Sequence, residues 1–339
     1  MLRVLGILLT VVCAIVTAIL TWPSLFRLER TFPIAQIISF RSLVAVVFGV
    51  LLVLLLLLAI ARPLRLLALS LAAVALIGGI ANVAMVAGRG LGTEALPAKG
   101  ASDLRVMTWN TAGSATSPDA VAQMAVAMQA DIITLPETTI STGEQVAIAM
   151  RDLGHPMWAY HAEYGTDGWD ARSTTLLISP DLGDYSVIAS SQDGSSNTST
   201  VPSAVAMPVD GTGPTVVAAH AVAPRQSYMQ HWRDDLQWLA DQCANADVIM
   251  AGDFNATLDH MSGLGLDGGT LGQCHDAAAD TGNGGIGTWP TDFPAMAGAP
   301  IDHVMVSSKW RASASVVLRT LDGSGSDHRP LVVQLTPVD

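Results

Sequence analysis

The chain has 339 residues, half of them hydrophobic, and a formal net charge of −12. Its length and apolar content exclude a disordered chain and suggest two units. Residues 1–100 hold 8 of the 17 Lys+Arg and 2 of the 29 Asp+Glu, a net of +6, so the remainder carries −18. The acidic part repels a phosphate backbone at long range, which disfavours a non-specific nucleic-acid binder.

Three apolar runs without a charge, residues 4–22, 43–61 and 66–87, are each long enough to cross a hydrocarbon core of roughly 30 Å. Leu54 to Leu58 are consecutive leucines, too uniform for one face of an amphipathic helix. Arg62, Pro63 and Arg65 separate the second and third runs as a tight hairpin. Read alone, the first run, with Arg3 ahead of it, would pass for a signal peptide; two further spans behind it favour a retained anchor. Gly78, Gly79 and Asn82 suit close helix packing, and the lack of a charged pathway argues against transport.

A cytoplasmic N-terminus places Arg3, Arg62 and Arg65 inside and Arg27, Arg30, Arg41, Arg89 and Lys99 outside, against the positive-inside bias. Long domains translocate regardless of charge, however, and Lys309 is the one lysine after Lys99. Cys243 and Cys274 are either a disulfide formed in an oxidising compartment or two buried thiols. The balance favours an extracytoplasmic C-terminal domain on a multi-pass anchor in the cell membrane. The organisation expected is an anchor over residues 1–87, a linker over 88–102 and a globular domain over 103–339.

In the globular part, apolar strands are expected at 104–109, 131–135, 174–179, 185–189, 204–209, 215–219, 248–251, 301–306, 314–318 and 331–335. Helices are expected at 118–129, where Ser117 caps and Pro118 opens the first turn, at 142–153, and at 226–242. This alternation implies an α/β or α+β sandwich with one large core.

Polar residues cluster at the strand ends, where such scaffolds place their sites. Taken singly they are ordinary: Asn110 a turn residue, Glu137 a surface carboxylate, His220 a core histidine, Asp253 with Asn255 an Asx turn. As an ordered set they resemble the endonuclease/exonuclease/phosphatase superfamily of metal-dependent phosphoesterases, which includes deoxyribonuclease-I-like nucleases and neutral sphingomyelinases. The matching segments are Val106-Met107-Thr108-Trp109-Asn110, Ile133-Thr134-Leu135-Pro136-Glu137, Ala218-Ala219-His220, Gly252-Asp253-Phe254-Asn255, Ile301-Asp302-His303 and Ser326-Asp327-His328-Arg329-Pro330. Gly-Asp-Phe-Asn and Ser-Asp-His-x-Pro are the specific ones. Pro136 stands where the family usually has glutamine, and Tyr160 and Tyr164 are unaligned candidates for a tyrosine some members use.

The resemblance implies a four-layer sandwich of two mixed sheets flanked by helices. It also implies a hard cation, Mg²⁺ with Mn²⁺ as an alternative, on Glu137 and Asn110. His328 is then the general base oriented by Asp302, and Asp327 supports the metal or that network. His220 donates to a phosphoryl oxygen or the leaving group, Asp253 orients water, and Asn255 bonds the transition state.

Competing signals are weak. Gly263-x-Gly265-x-x-Gly268 has neither a strand before it nor a helix after it, and Cys274-His275 has no second metal-type pair. Trp158, Trp169, Trp232, Trp238 and Trp289 read as core or rim packing, and Arg172 and Arg225 as solvated.

The expected function is a membrane-anchored phosphoesterase acting by water attack. Tethering favours a lipid or lipid-linked phosphate over nucleic acid. The layout also resembles bacterial members associated with glycopeptide-antibiotic resistance, which implies an undecaprenyl (pyro)phosphate or phospholipid substrate. The alternatives are an exported nuclease on DNA or RNA and a catalytically silent binding module. Oligomeric state is left open.

Overall fold

A computed structural model describes residues 2–93, 95–165, 168–244 and 247–338. The chain divides into two compact units, residues 1–89 and 90–339.

The first unit contains α1 (Leu2–Thr21), a short α2 (Ile34–Ile38), α3 (Arg41–Leu58) and α4 (Arg65–Gly88). Three of these, over Arg3–Thr21, Arg41–Leu58 and Arg65–Gly88, are long and apolar enough to be candidate membrane spans. Most of their large exposed side chains, such as Val4, Leu54 and Ile77, are apolar. Gly78 lies where helices meet: a Cβ there would come 2.7 Å from Thr17 Cγ2 and 3.0 Å from Phe48. Asn82, fully buried, donates to Gly78 O at 2.9 Å and accepts from Arg41 Nη1 at 2.7 Å, polar bonding that ties α3 to α4.

In the second unit the strands are β1 (Leu104–Thr108), β2 (Ile132–Pro136), β3 (Trp158–Glu163), β4 (Ser173–Ile178), β5 (Tyr185–Val187) and β6 (Ala204–Pro208). They continue as β7 (Thr215–His220), β8 (Val248–Asp253), β9 (His275–Asp276), β10 (Asp302–Val306), β11 (Trp310–Val317) and β12 (Leu331–Pro337). Two six-stranded mixed sheets result, ordered β11-β12-β1-β2-β4-β3 and β5-β6-β7-β8-β10-β9. The parallel pairs are β1 with β2 and β7 with β8.

Strand residues alternate faces. Val106, Ile132 and Val333 of the first sheet share one core with Val216, Ile249 and Val304 of the second. Their neighbours Met107, Ile133 and Val332 face the other way, onto Val121 and Ala125 of α5 (Pro118–Ala127) and Val146 and Met150 of α6 (Ile140–Asp152). Burial on both faces is why these strands read as continuous apolar runs. α7 (Met229–Gln242) buries Trp232, Leu236 and Leu239, and two single-turn helices, α8 (Leu258–Met261) and α9 (Ala277–Asp280), complete the set.

Two strands were not expected. β3 is an edge strand whose sequence, Trp-Ala-Tyr-His-Ala-Glu, mixes polar with apolar residues and leaves Trp158 exposed. β9 has two residues, too few for any period. The expected linker is also no free tether. Gly92 N donates to Gly282 O, Thr93 Oγ1 donates to Ser315 O at 2.6 Å, and Lys99 pairs with Asp131, so this stretch is strapped along the second unit. Its small residues made it read as flexible. Cys243 and Cys274 form a disulfide with Cα atoms 5.5 Å apart, which joins the end of α7 to the loop before β9 and removes Cys274 from any zinc reading.

Candidate active site

The second sheet supplies three site residues in one row. His220 ends β7, Asp253 ends β8 and Asp302 opens β10, and the ladders place both His220 and Asp302 opposite Asp253. That row depends on Gly252, since a Cβ there would collide with Ala219 O of β7. Past Asp253 the chain turns through Asn255, which has a left-handed φ of 47°. Asn255 N bonds Asp253 Oδ1 at 2.8 Å, while its side-chain amide donates to Ala221 O at 2.9 Å.

The first sheet supplies residues from loops. Asn110 lies just past β1 and Glu137 just past β2. Glu137 has φ of 56°, a conformation that costs a residue with a Cβ roughly 1–2 kcal/mol. The Asn110 amide nitrogen donates to both Glu137 Oε1 and Asp253 Oδ2, each at 3.1 Å, and so joins the two sheets' carboxylates. His328 precedes β12 and reaches across: its Nδ1 lies 2.8 Å from Asp302 Oδ2 and its Nε2 3.8 Å from Asp253 Oδ2.

The two histidines are set to opposite states. Burial, with His328 adding to it, holds the His220 pKa down at about 3, so this ring is neutral. Thr174 Oγ1 donates to Pro202 O at 2.6 Å and therefore presents a lone pair to His220 Nδ1 at 3.3 Å. The ring donates from Nδ1 and leaves Nε2 as an acceptor. For His328, burial opposes the charge, but Asp302 and then Asp253 outweigh it and raise the pKa. Burial raises Asp253 against the pull of His328, and Asp302 adds to the rise. One imidazole and two carboxylates thus lie buried together, and their charges act on one another.

The Endonuclease/Exonuclease/phosphatase family pattern matches residues 107–328, which span every one of these groups. The chain belongs to the endonuclease/exonuclease/phosphatase family. A family protein from Beutenbergia cavernae is similar in structure at TM-score 0.52 and 20% identity, covering 70% of this chain and 72% of that one. A humanized D. rerio TDP2 is similar at TM-score 0.52 and 15% identity, covering 70% and 100%. A Leptotrichia buccalis family protein is similar at TM-score 0.53 and 13% identity, covering 68% and 99%. These likenesses concern the fold. No curated protein matches the sequence.

Phosphoester hydrolysis with a divalent metal is the family's chemistry, and the donors here fit such an ion. Glu137, Asp253 and Asp327 offer oxygen ligands, as a hard cation prefers. Donor atoms of Asp253, Asp302 and His328 also lie within 4.8 Å of one another, with His328 Nδ1 and Asp302 Oδ2 bonded to each other and Asp302 Oδ1 left buried without a partner. Glu137, half-buried at a strained turn, is the better seat. One expected detail differs: the Asn110 oxygen accepts Ala112 N–H at 3.0 Å, so its amide offers nitrogen, not oxygen, to the carboxylates.

Other expected residues lie at the rim or elsewhere. Asp327 is half exposed, accepts Trp289 Nε1–H at 2.8 Å and stands 4.0 Å from His328 Nε2. Tyr164 donates to Thr198 O and Tyr160 accepts from Tyr185 N, so both hydroxyls are committed to backbone. Arg172 lies over the Trp169 ring at 5.4 Å.

Sequence reasoning missed three supports. Ser326 Oγ donates to Asn110 O at 2.6 Å and accepts from His328 N, which ties the two loops. Trp109 Nε1 donates to His328 O, and Thr174 sets the His220 tautomer. Ser326 and Trp109 stand inside quoted motifs, so a signal existed. Thr174, mid-strand, gave none.

Proposed function

We propose that this protein is a membrane-anchored, metal-dependent phosphoesterase that hydrolyses a phosphodiester or pyrophosphate bond in a lipid or lipid-linked substrate. The observation that carries the reading is the Asp302–His328–Asp253 cluster joined through Asn110 to Glu137. Three candidate membrane spans support the lipid part. The net charge of −18 beyond residue 100 disfavours polymer phosphate. The disulfide supports an extracytoplasmic domain.

The chain's own groups divide the work. His328, steered by Asp302, manages the proton of the attacking water, and Asp253 with Asn255 orients that water. His220, whose Nε2 is an open acceptor, takes a proton there from solvent when a phosphate's negative charge lies beside it, and passes that proton to the leaving oxygen. Glu137, with Asn110 once its amide is turned, would hold Mg²⁺ or Mn²⁺, which would neutralise phosphoryl charge.

The test is hydrolysis by the full chain in detergent with Mg²⁺, comparing undecaprenyl pyrophosphate, sphingomyelin and plasmid DNA. Lipid cleavage that fails in His328→Ala supports the reading. Plasmid nicking that fails in that variant favours the exported nuclease, and inactivity on all three favours a silent binding module.

A further inference from the structure

Behind the site lies a second carboxylate–imidazole pair that the proposed chemistry does not use. Asp302 and His303 are successive residues of β10, so their side chains leave opposite faces of the sheet. While Asp302 meets His328, His303 Nδ1 lies 2.5 Å from Asp276 Oδ2 and its Nε2 lies 2.8 Å from Ala256 O. His303 and Asp276 are almost wholly buried, at 2% and 1% exposure. A carbonyl oxygen can only accept, and Asp276 accepts Ala279 N–H through its other oxygen, as a helix-capping carboxylate does. Both ring nitrogens therefore donate, and the ring carries two protons and a positive charge. Burial opposes that charge, but Asp276 outweighs it and raises the His303 pKa.

We infer that His303, held by Asp276, is a positioning residue that clamps the Phe254–Ala256 turn through the Ala256 carbonyl and so fixes Asp253 and Asn255 for catalysis. The turn needs a clamp because Asn255 sits in a left-handed conformation between two residues with no exposed surface, Phe254 and Ala256. Phe254 meets the His303 ring edge-on at 5.4 Å, and its N–H is bonded to Ile301 O at 3.0 Å. Releasing Ala256 O would free the turn to relax towards ordinary dihedrals. Asn255 would leave Ala221 O, and Asp253 would lose its bond from Asn255 N–H.

The activity arm of the test rests on the phosphoesterase reading; the spectroscopic arm does not. With the full chain in detergent and bis(p-nitrophenyl) phosphate, His303→Phe, which cannot donate, should lower kcat by about 10- to 100-fold and leave KM unchanged, as for groups that orient a site from behind. His303→Gln, whose amide reaches the Nε2 position, should recover most of that loss. Full kcat in a folded His303→Phe, or a His303→Gln as impaired as His303→Phe, would overturn the clamp. Independently, nitrogen-15 histidine spectra at neutral pH should give His303 two slowly exchanging ring N–H signals, one of them lost in Asp276→Asn. A single ring N–H in the wild type would overturn it. A wild type inactive on the diester counts against the phosphoesterase reading, and the ring signals still decide the clamp.

Discussion

The two sheets contribute to the site in different ways. The second sheet places His220, Asp253 and Asp302 within ladder register on neighbouring strands, where backbone bonds fix them. The first sheet places Asn110, Glu137 and His328 on loops beyond its strands, one of them at a strained backbone. The difference teaches a division of labour. On this reading the in-register row is the rigid reference, and the loop residues are the half expected to adjust to a cation and a substrate. His328 should matter most because its ring docks on that row at Asp302, 2.8 Å away.

The largest effect should come from breaking that docking. His328→Ala should lower kcat by about 10³- to 10⁴-fold, at every metal concentration and with thermal melting unchanged. Glu137→Gln should cost less, about 10²-fold, and raising Mg²⁺ should restore part of it, because only the adjustable half is damaged. A Glu137→Gln variant blind to Mg²⁺ would break the distinction between the halves. The disulfide braces the second sheet's outer layer, away from the adjustable loops. Cys243→Ser with Cys274→Ser should therefore cost roughly 2–4 kcal/mol in a denaturant titration and leave kcat alone.

The smallest effect lies at the far edge, where the sheets touch through Tyr160 and Tyr185: Tyr160 Oη accepts from Tyr185 N at 3.3 Å. Burial raises the Tyr160 pKa and pushes Tyr185 up to about 12. The folded chain thus keeps phenol protons that the unfolded chain gives up near its ordinary value of about 10. This contribution is whole below pH 10 and is lost as pH rises through 12. Stability measured between pH 9 and 12 should fall along that course, and Tyr185→Phe should make the fall shallower.

Much of this organisation could be read from the sequence because burial on both faces made the central strands unbroken apolar runs and put polar residues at their ends. Val106 to Asn110 and Val248 to Asp253 each carry strand and site in one stretch. Edge pairing wrote no such pattern into Trp158–Glu163. Nor could spacing reveal which way the Asn110 amide faces, or that Thr174 fixes the His220 proton, since both follow from contacts between distant strands. The stretch read as a linker shows no sign of its bonds in its own sequence, because their partners lie far along the chain, as Ser315 does for Thr93.

The left-handed backbone at Glu137 also has an evolutionary meaning. Glycine would adopt that dihedral freely, so selection for fold robustness alone would drift the position towards glycine. Glutamate at 137 therefore carries a cost that glycine would remove, so Glu137→Gly should gain about 1 kcal/mol in a denaturant titration while giving up the carboxylate.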